Sequence, residues 1–172
     1  NARRPEAVFE DTYRSLYVRY KDELSSDSRN RQVPSWLTRL QIIDSTTITL
    51  FSNLIFKGVG RHPKTGKKKG GIKVHTNIHA NEGVPSDIRF TSAATNDGFM
   101  LKPANYNDGD IVAMDRAYID YSKFEELTNR GVIYVTKMKK NLVYEVLSDM
   151  MYMSPCGLME YRVQVVEFKK HI

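Results

Sequence analysis

Cysteine is nearly missing from this chain of 172 residues: Cys156 stands alone, so no disulfide can form within it. A single thiol suits a reducing compartment. There is no run of about 18 apolar residues, the length a helical membrane span needs. The N-terminus carries no secretory signal pattern. Acidic residues vanish from one stretch, Phe51 to Gly71, which holds Lys57, Arg61, Lys64, Lys67, Lys68 and Lys69 among five glycines. The chain opens at Asn1 without Met and stops just after Lys169-Lys170, which reads as a piece of something longer.

What is present points to a folded domain. An apolar fraction of 41% over this length is enough for a core, and one domain is the natural expectation. The net charge of +6 and pI near 9.3 lean towards a polyanionic partner.

Leu40 to Leu50 is rich in β-branched residues and free of Gly and Pro, the composition of a strand. Alternation puts Asp44 in phase with Leu40, Ile42, Thr46, Ile48 and Leu50. A carboxylate in phase with apolar residues is expected to be paired or bound to a metal, because burying it alone is costly. A second strand, Asp110 to Asp115, is a short apolar run ending in an acid at its carboxyl edge, where ligands of open α/β sheets collect. If these strands are neighbours they lie about 4.8 Å apart. Two carboxylates so placed repel unless a proton or a divalent cation lies between them.

The remaining pattern supplies the frame. Phe9 to Leu24 has helical periodicity with a tyrosine stripe that reads as a packing face, and Ser25 to Pro34 is a loop. Trp36 and Leu37 are expected to anchor the chain beside the Asp44 strand. The basic stretch reads either as a solvated hairpin tip or as a phosphate-contacting loop. Gly71 to Ala80 alternates, with Lys73, His75, Asn77 and His79 on one face. On a strand the two histidines stand roughly 13 Å apart, so they share no metal. Ile88 to Ala93 is a third strand, completing an antiparallel meander. A short helix is expected around Gly98 to Lys102. After Asp115, Ser122 to Glu125 reads as a capping box, Tyr121, Phe124 and Leu127 as a core face, and Gly131 as the helix stop. Val132 to Lys139 then closes a βαβ unit with parallel strands. Leu142 to Leu147 and Glu160 to Phe168 flank a turn at Ser154 to Gly157. A meander followed by βαβ is the layout of a ribonuclease-H-like mixed α/β sheet, which makes the Asp44 and Asp115 strands central neighbours.

The blocks Ile43-Asp-Ser-Thr46, Lys69-Gly-Gly-Ile-Lys-Val-His75, Met114-Asp-Arg-Ala-Tyr-Ile-Asp-Tyr121 and Gly131-Val-Ile-Tyr-Val135 closely resemble bacterial insertion-sequence transposases of the DDE type. The nearest group is the one called insertion sequence four. The resemblance runs in order from Trp36 onward. It implies three parts: an N-terminal helix and linker over 1–35, a partial ribonuclease-H-like catalytic core over 36–141, and the start of a β-insertion over 142–172. It implies that Asp44 and Asp115 are the first two acids of a triad. The third, a glutamate, belongs on a later helix where a tyrosine is followed three positions on by arginine. No tyrosine here has that spacing, so the third acid is expected beyond the last residue. Asp149, 34 residues after Asp115, and Glu145, 30 after it, are the rivals for that place; both read as bland, as do Glu160 and Glu167.

The implied chemistry is metal-dependent phosphodiester cleavage and strand transfer at transposon ends. Asp44 and Asp115 would hold Mg²⁺ or Mn²⁺, two ions in the complete enzyme. The implied partners are transposon-end and target DNA, met by Lys57, Arg61, Lys64, Lys67, Lys68, Lys69, Lys73 and Arg116, with Lys137 to Lys140 also near the acidic edge. Synapsis of two ends suits a dimer on DNA, in the bacterial cytoplasm beside the nucleoid and away from any membrane. Two alternatives stay open: a non-catalytic DNA-binding fragment of a decayed transposase, and another ribonuclease-H-like nuclease.

Overall fold

The computed structural model describes residues 5–25, 33–49, 59–61 and 68–169. They fall into two compact units, divided between Thr136 and Lys137.

The first unit begins with helix α1 (Glu6–Ser25). Its tyrosines divide their work. Tyr13 donates to the Pro85 carbonyl at 2.5 Å and Tyr17 to Glu82 at 2.6 Å, while Tyr20 is exposed. The sheet follows: β1 (Leu40–Thr49), a short β2 (Val59–Arg61), β3 (Lys68–His79), β4 (Pro85–Ser92), β5 (Ile111–Met114) and β6 (Ile133–Thr136). β3 lies between β1 and β4, antiparallel to both, and its first residues also pair with β2. β1 pairs with β5, and β5 with β6, both parallel. The sheet is therefore mixed, with β1 joining an antiparallel half to a parallel half.

Helix α2 (Tyr121–Asn129) lies between β5 and β6 in the chain. Its N-cap is Asp120, not the Ser122 of the expected capping box. One Asp120 oxygen accepts from the Ser122 amide, the Lys123 amide and the Ser122 hydroxyl. An aspartate one position before the helix reaches the free amides directly, which Ser122, already inside the first turn, cannot do. The helix ends in a Schellman turn: the Val132 amide donates to Leu127 O at 2.9 Å and the Gly131 amide to Thr128 O at 3.0 Å. β6 is shorter than expected, because Lys137 to Lys139 leave the ladder.

One core underlies the parallel half. Ile43, Val112 and Met114 point from the strands onto Leu101, Tyr106, Tyr118, Phe124, Leu127 and Val132. This settles the phase of β1 in a direction the apolar pattern did not. The covered face carries Gln41 and Ile43, while Ile42 and Ile48 are 37% and 51% exposed. Asp44 belongs to that second set and is exposed. The expectation of a carboxylate packed among apolar side chains is thus corrected. The described residues cover one face of the sheet here, and Asp44 stands on the other. Trp36, expected as an anchor, is half exposed.

The second unit is a two-stranded antiparallel hairpin, β7 (Tyr144–Met153) and β8 (Glu160–Phe168), with a bulge at Leu147. Tyr152 stacks on Tyr161 at 5.5 Å. Asp149 lies within β7, not at a strand end. Arg162 and Gln164 hydrogen-bond its carboxylate, which holds it well below the usual range, at about 2. It is spent within the hairpin, as is Glu145, which pairs with Lys169.

Candidate active site

The register places the two acids. Ile43 of β1 faces Met114 of β5 in the last matched pair of the parallel ladder. The next residue on each strand is an aspartate, so Asp44 and Asp115 leave the paired region side by side. Both are exposed, and neither forms an ion pair among the described residues. Parallel strands are what make this possible: successive residues advance along both chains together, so two acids at one edge stay level.

Each acid is held differently. Asp115 caps a single helical turn, Arg116–Tyr118, with its Oδ1 accepting from the Ala117 amide at 2.9 Å. The backbone carbonyl of Asp44 accepts from Thr76 Oγ1 at 3.4 Å, across the ladder to β3. The carboxylate of Asp44 and the Oδ2 of Asp115 have no hydrogen-bond partner of their own among the described residues. A pair of hard, anionic oxygens on an open edge fits a divalent cation that keeps several waters. No group of three or more acids, histidines or cysteines gathers among the described residues, so the pair stands as two carboxylates.

On the opposite, covered face lies a polar cluster that sequence reasoning missed. His75 faces Ser45 across the ladder and is fully buried. Its Nε2 lies 2.8 Å from Thr91 Oγ1, its ring meets Phe99 edge-on at 4.8 Å, and its Nδ1 lies 3.5 Å from Asp97 Oδ1. Lys73 Nζ approaches the same oxygen at 3.1 Å and donates to the Thr95 carbonyl at 2.9 Å. Burial lowers the His75 pKa; Asp97 opposes this, and Lys73 adds to it. The only signal in the sequence was the alternation of Lys73, His75 and Asn77, which suggests an outward face. The cover comes from residues 95–101, too distant in the chain for periodicity to reveal.

A pH dependence follows. A histidine whose folded pKa lies below 6.5 binds its proton more readily when unfolded, so it lowers stability as pH falls through 6.5 towards the folded value. Thermal melts at pH 7.5 and 5.5 should show a drop on acidification that shrinks in His75→Gln. An equal drop in both proteins would assign it to other groups.

The basic residues scatter. Arg116 is exposed beside Asp115. Lys73 is instead turned into the cluster, its side chain 13% exposed, so its charge is already opposed by Asp97. Lys57, Lys64 and Lys67 lie outside the described residues; Arg61, Lys68 and Lys69 are placed only as backbone, on β2 and β3. Lys137 to Lys140 belong to the second unit.

In comparison with known families, the family model described as transposase DDE domain matches residues 35–167. No curated protein and no solved structure matches the chain.

Proposed function

Because the chain belongs to the transposase DDE-domain family, we propose that Asp44 and Asp115 are its first two catalytic acids and that they hold Mg²⁺ or Mn²⁺ against a DNA phosphate. The mixed sheet fits a ribonuclease-H-like DDE domain. The observation that carries the reading is the level placement of two open, unpaired aspartates where the parallel ladder of β1 and β5 ends, Asp44 within β1 and Asp115 just after β5. A bound divalent cation supplies charge neutralisation at phosphorus and lowers the pKa of a bound water. The chain's own part is to present four carboxylate oxygens, one already engaged as the cap of the Arg116 turn, on the open face of the sheet.

Arg116 and the basic stretch holding Lys57, Arg61, Lys64, Lys67, Lys68 and Lys69 would follow the DNA backbone by charge. Lys73 drops out of that set, since Asp97 already neutralises it. The finer assignment is to a bacterial element of the insertion-sequence-four group, acting as a dimer on its DNA ends in the cytoplasm beside the nucleoid. It rests on the motif resemblance.

Crystals soaked in Mn²⁺ test the reading: anomalous density belongs between Asp44 and Asp115, and density only at other carboxylates would sink it. A second reading, a DNA-binding fragment without catalysis, is favoured by one observation. Among the described residues no third carboxylate joins the pair. In a single-turnover assay on end-containing DNA, this chain alone should give no metal-dependent nicking. Nicking that Asp44→Asn abolishes would show that the pair suffices.

A further inference from the structure

Helix α1 is fastened along one flank and bare along the next. Tyr13 and Tyr17 donate to Pro85 O and Glu82, and Arg14 pairs with Asp87 at 3.2 Å, so these three side chains tie the helix to β4 and the turn before it. Along the helix Phe9, Tyr13, Leu16, Tyr20 and Leu24 recur at steps of four, three, four and four, which gathers them into one stripe. Phe9, Leu16 and Tyr20 remain 60%, 52% and 47% exposed. Single exposed apolar side chains are ordinary. A stripe running along a 20-residue helix, about 30 Å long, marks an interaction surface.

The charges beside the stripe say what covers it. Phe9, Tyr13, Leu16 and Tyr20 follow the alternating four-three spacing by which one helix pairs with another. Glu10 and Lys21 stand three helical turns apart on one flank of that stripe. Among the described residues Lys21 has no ion pair, and Glu10 pairs with Arg14 of its own helix. A second α1 laid antiparallel brings Phe9 against Tyr20, Tyr13 against Leu16, and each Glu10 to the other copy's Lys21, twice by two-fold symmetry. A parallel pair would set Glu10 against Glu10 and Lys21 against Lys21. The groove between α1 and β4 fits the antiparallel register. It holds about 310 Å³, walled by Phe9, Tyr13, Ile88 and Phe90, with Arg14 and Asp87 in its lining. Its Phe90 wall is 59% exposed. A tyrosine arriving beside Phe9 would lay its ring on those walls and turn its hydroxyl to the charged lining.

We propose that α1 is a self-association surface: two copies of this chain pair through it, helix antiparallel to helix, with Tyr20 of each copy seated in the α1–β4 groove of the other. The inference does not rest on the reading of Asp44 and Asp115, since the pairing needs neither metal nor DNA. One helix pair is a small contact, so the dissociation constant is expected on the order of tens of micromolar.

The test is sedimentation velocity of the full chain, free of metal and DNA, from roughly 1 µM to 1 mM. The wild type should pass from monomer to dimer across that range. Leu16→Glu should weaken the dimer roughly 30-fold or more. Because Leu16 is exposed, that variant should keep its circular dichroism spectrum and melting temperature. Lys21→Glu and Glu10→Lys should each weaken the dimer about threefold to tenfold, and the double variant should regain most of the loss, because reversing both charges restores each cross-pair. This charge exchange decides the register even if Leu16→Glu disturbs the helix. A wild type that stays monomeric throughout overturns the proposal. So does a dimer that Leu16→Glu leaves intact, which would belong to another face. A double variant no tighter than the single ones overturns it as well.

Discussion

Asp44→Asn is expected to lower Mn²⁺ affinity by roughly a hundredfold or more, a larger loss than outer-shell partners are worth. The reason lies in the donor set. Two exposed carboxylates at one level of a parallel ladder are all that the described residues offer a cation at this edge. Converting one to an amide keeps its size and removes its charge. Stability should change little or rise, because the repulsion between two like charges at neighbouring positions disappears. Asp115→Asn should lose affinity as well while keeping the Arg116 turn, since an amide oxygen accepts from Ala117 as the carboxylate does; Asp115→Ala should lose both. Isothermal titration with Mn²⁺, beside thermal melts of the same samples, separates the two effects. Wild-type affinity in Asp44→Asn would remove this aspartate from any cation site.

Gly131→Ala should destabilise the first unit by more than an added methyl at an open glycine does. Gly131 ends α2 with φ of 71°, a left-handed conformation that side chains resist. A Cβ there would lie 2.0 Å from Asp108 Oδ1 and 3.0 Å from Asp108 Cγ. Asp108 can swing aside, but the backbone strain stays, and the Gly109 amide is tied to the Gly131 carbonyl at 3.0 Å. The cost is about 2 kcal/mol, which lowers the melting temperature by roughly 5 °C in a domain of this size. Gly83→Ala is the control: its φ is 70°, with nothing within 4 Å of the added methyl. A larger loss at Gly131 than at Gly83 isolates the part due to Asp108; equal losses would leave only backbone strain.

Much of the frame was legible because it is local. β-branched runs mark β1, and the apolar run Ile111 to Met114 marks a strand buried within a sheet. Gly131 marks the end of α2 because only the local backbone decides it. Asp44 and Asp115 stood out as charges closing or interrupting apolar strands. Legibility failed where the deciding contact lies far along the chain. Alternation in β1 gives two sets of positions but does not say which is covered. Ile42 and Ile48 looked like the inward set, and Gln41 and Ile43 are. Similarly, Lys73 and His75 looked like a solvated face, and residues 95–101 cover them. Asp97 sits in a polar, turn-rich stretch where nothing announces that its carboxylate will meet a lysine and a histidine.

The acids' strand has a property that its composition hides. Asp44 and Ser45 are adjacent in sequence and project to opposite sides of one sheet, the first to the open side, the second towards Tyr118. Deleting or duplicating a single residue between Leu40 and Ile43 would exchange them. The serine would stand at the open edge, and the carboxylate would be driven into the crowded pocket beneath. Most substitutions at these four positions leave that parity intact. A change of length in this segment should therefore be severe at any of the four positions, whereas a change of identity is costly at the buried Gln41 and Ile43 and mild at the exposed Ile42.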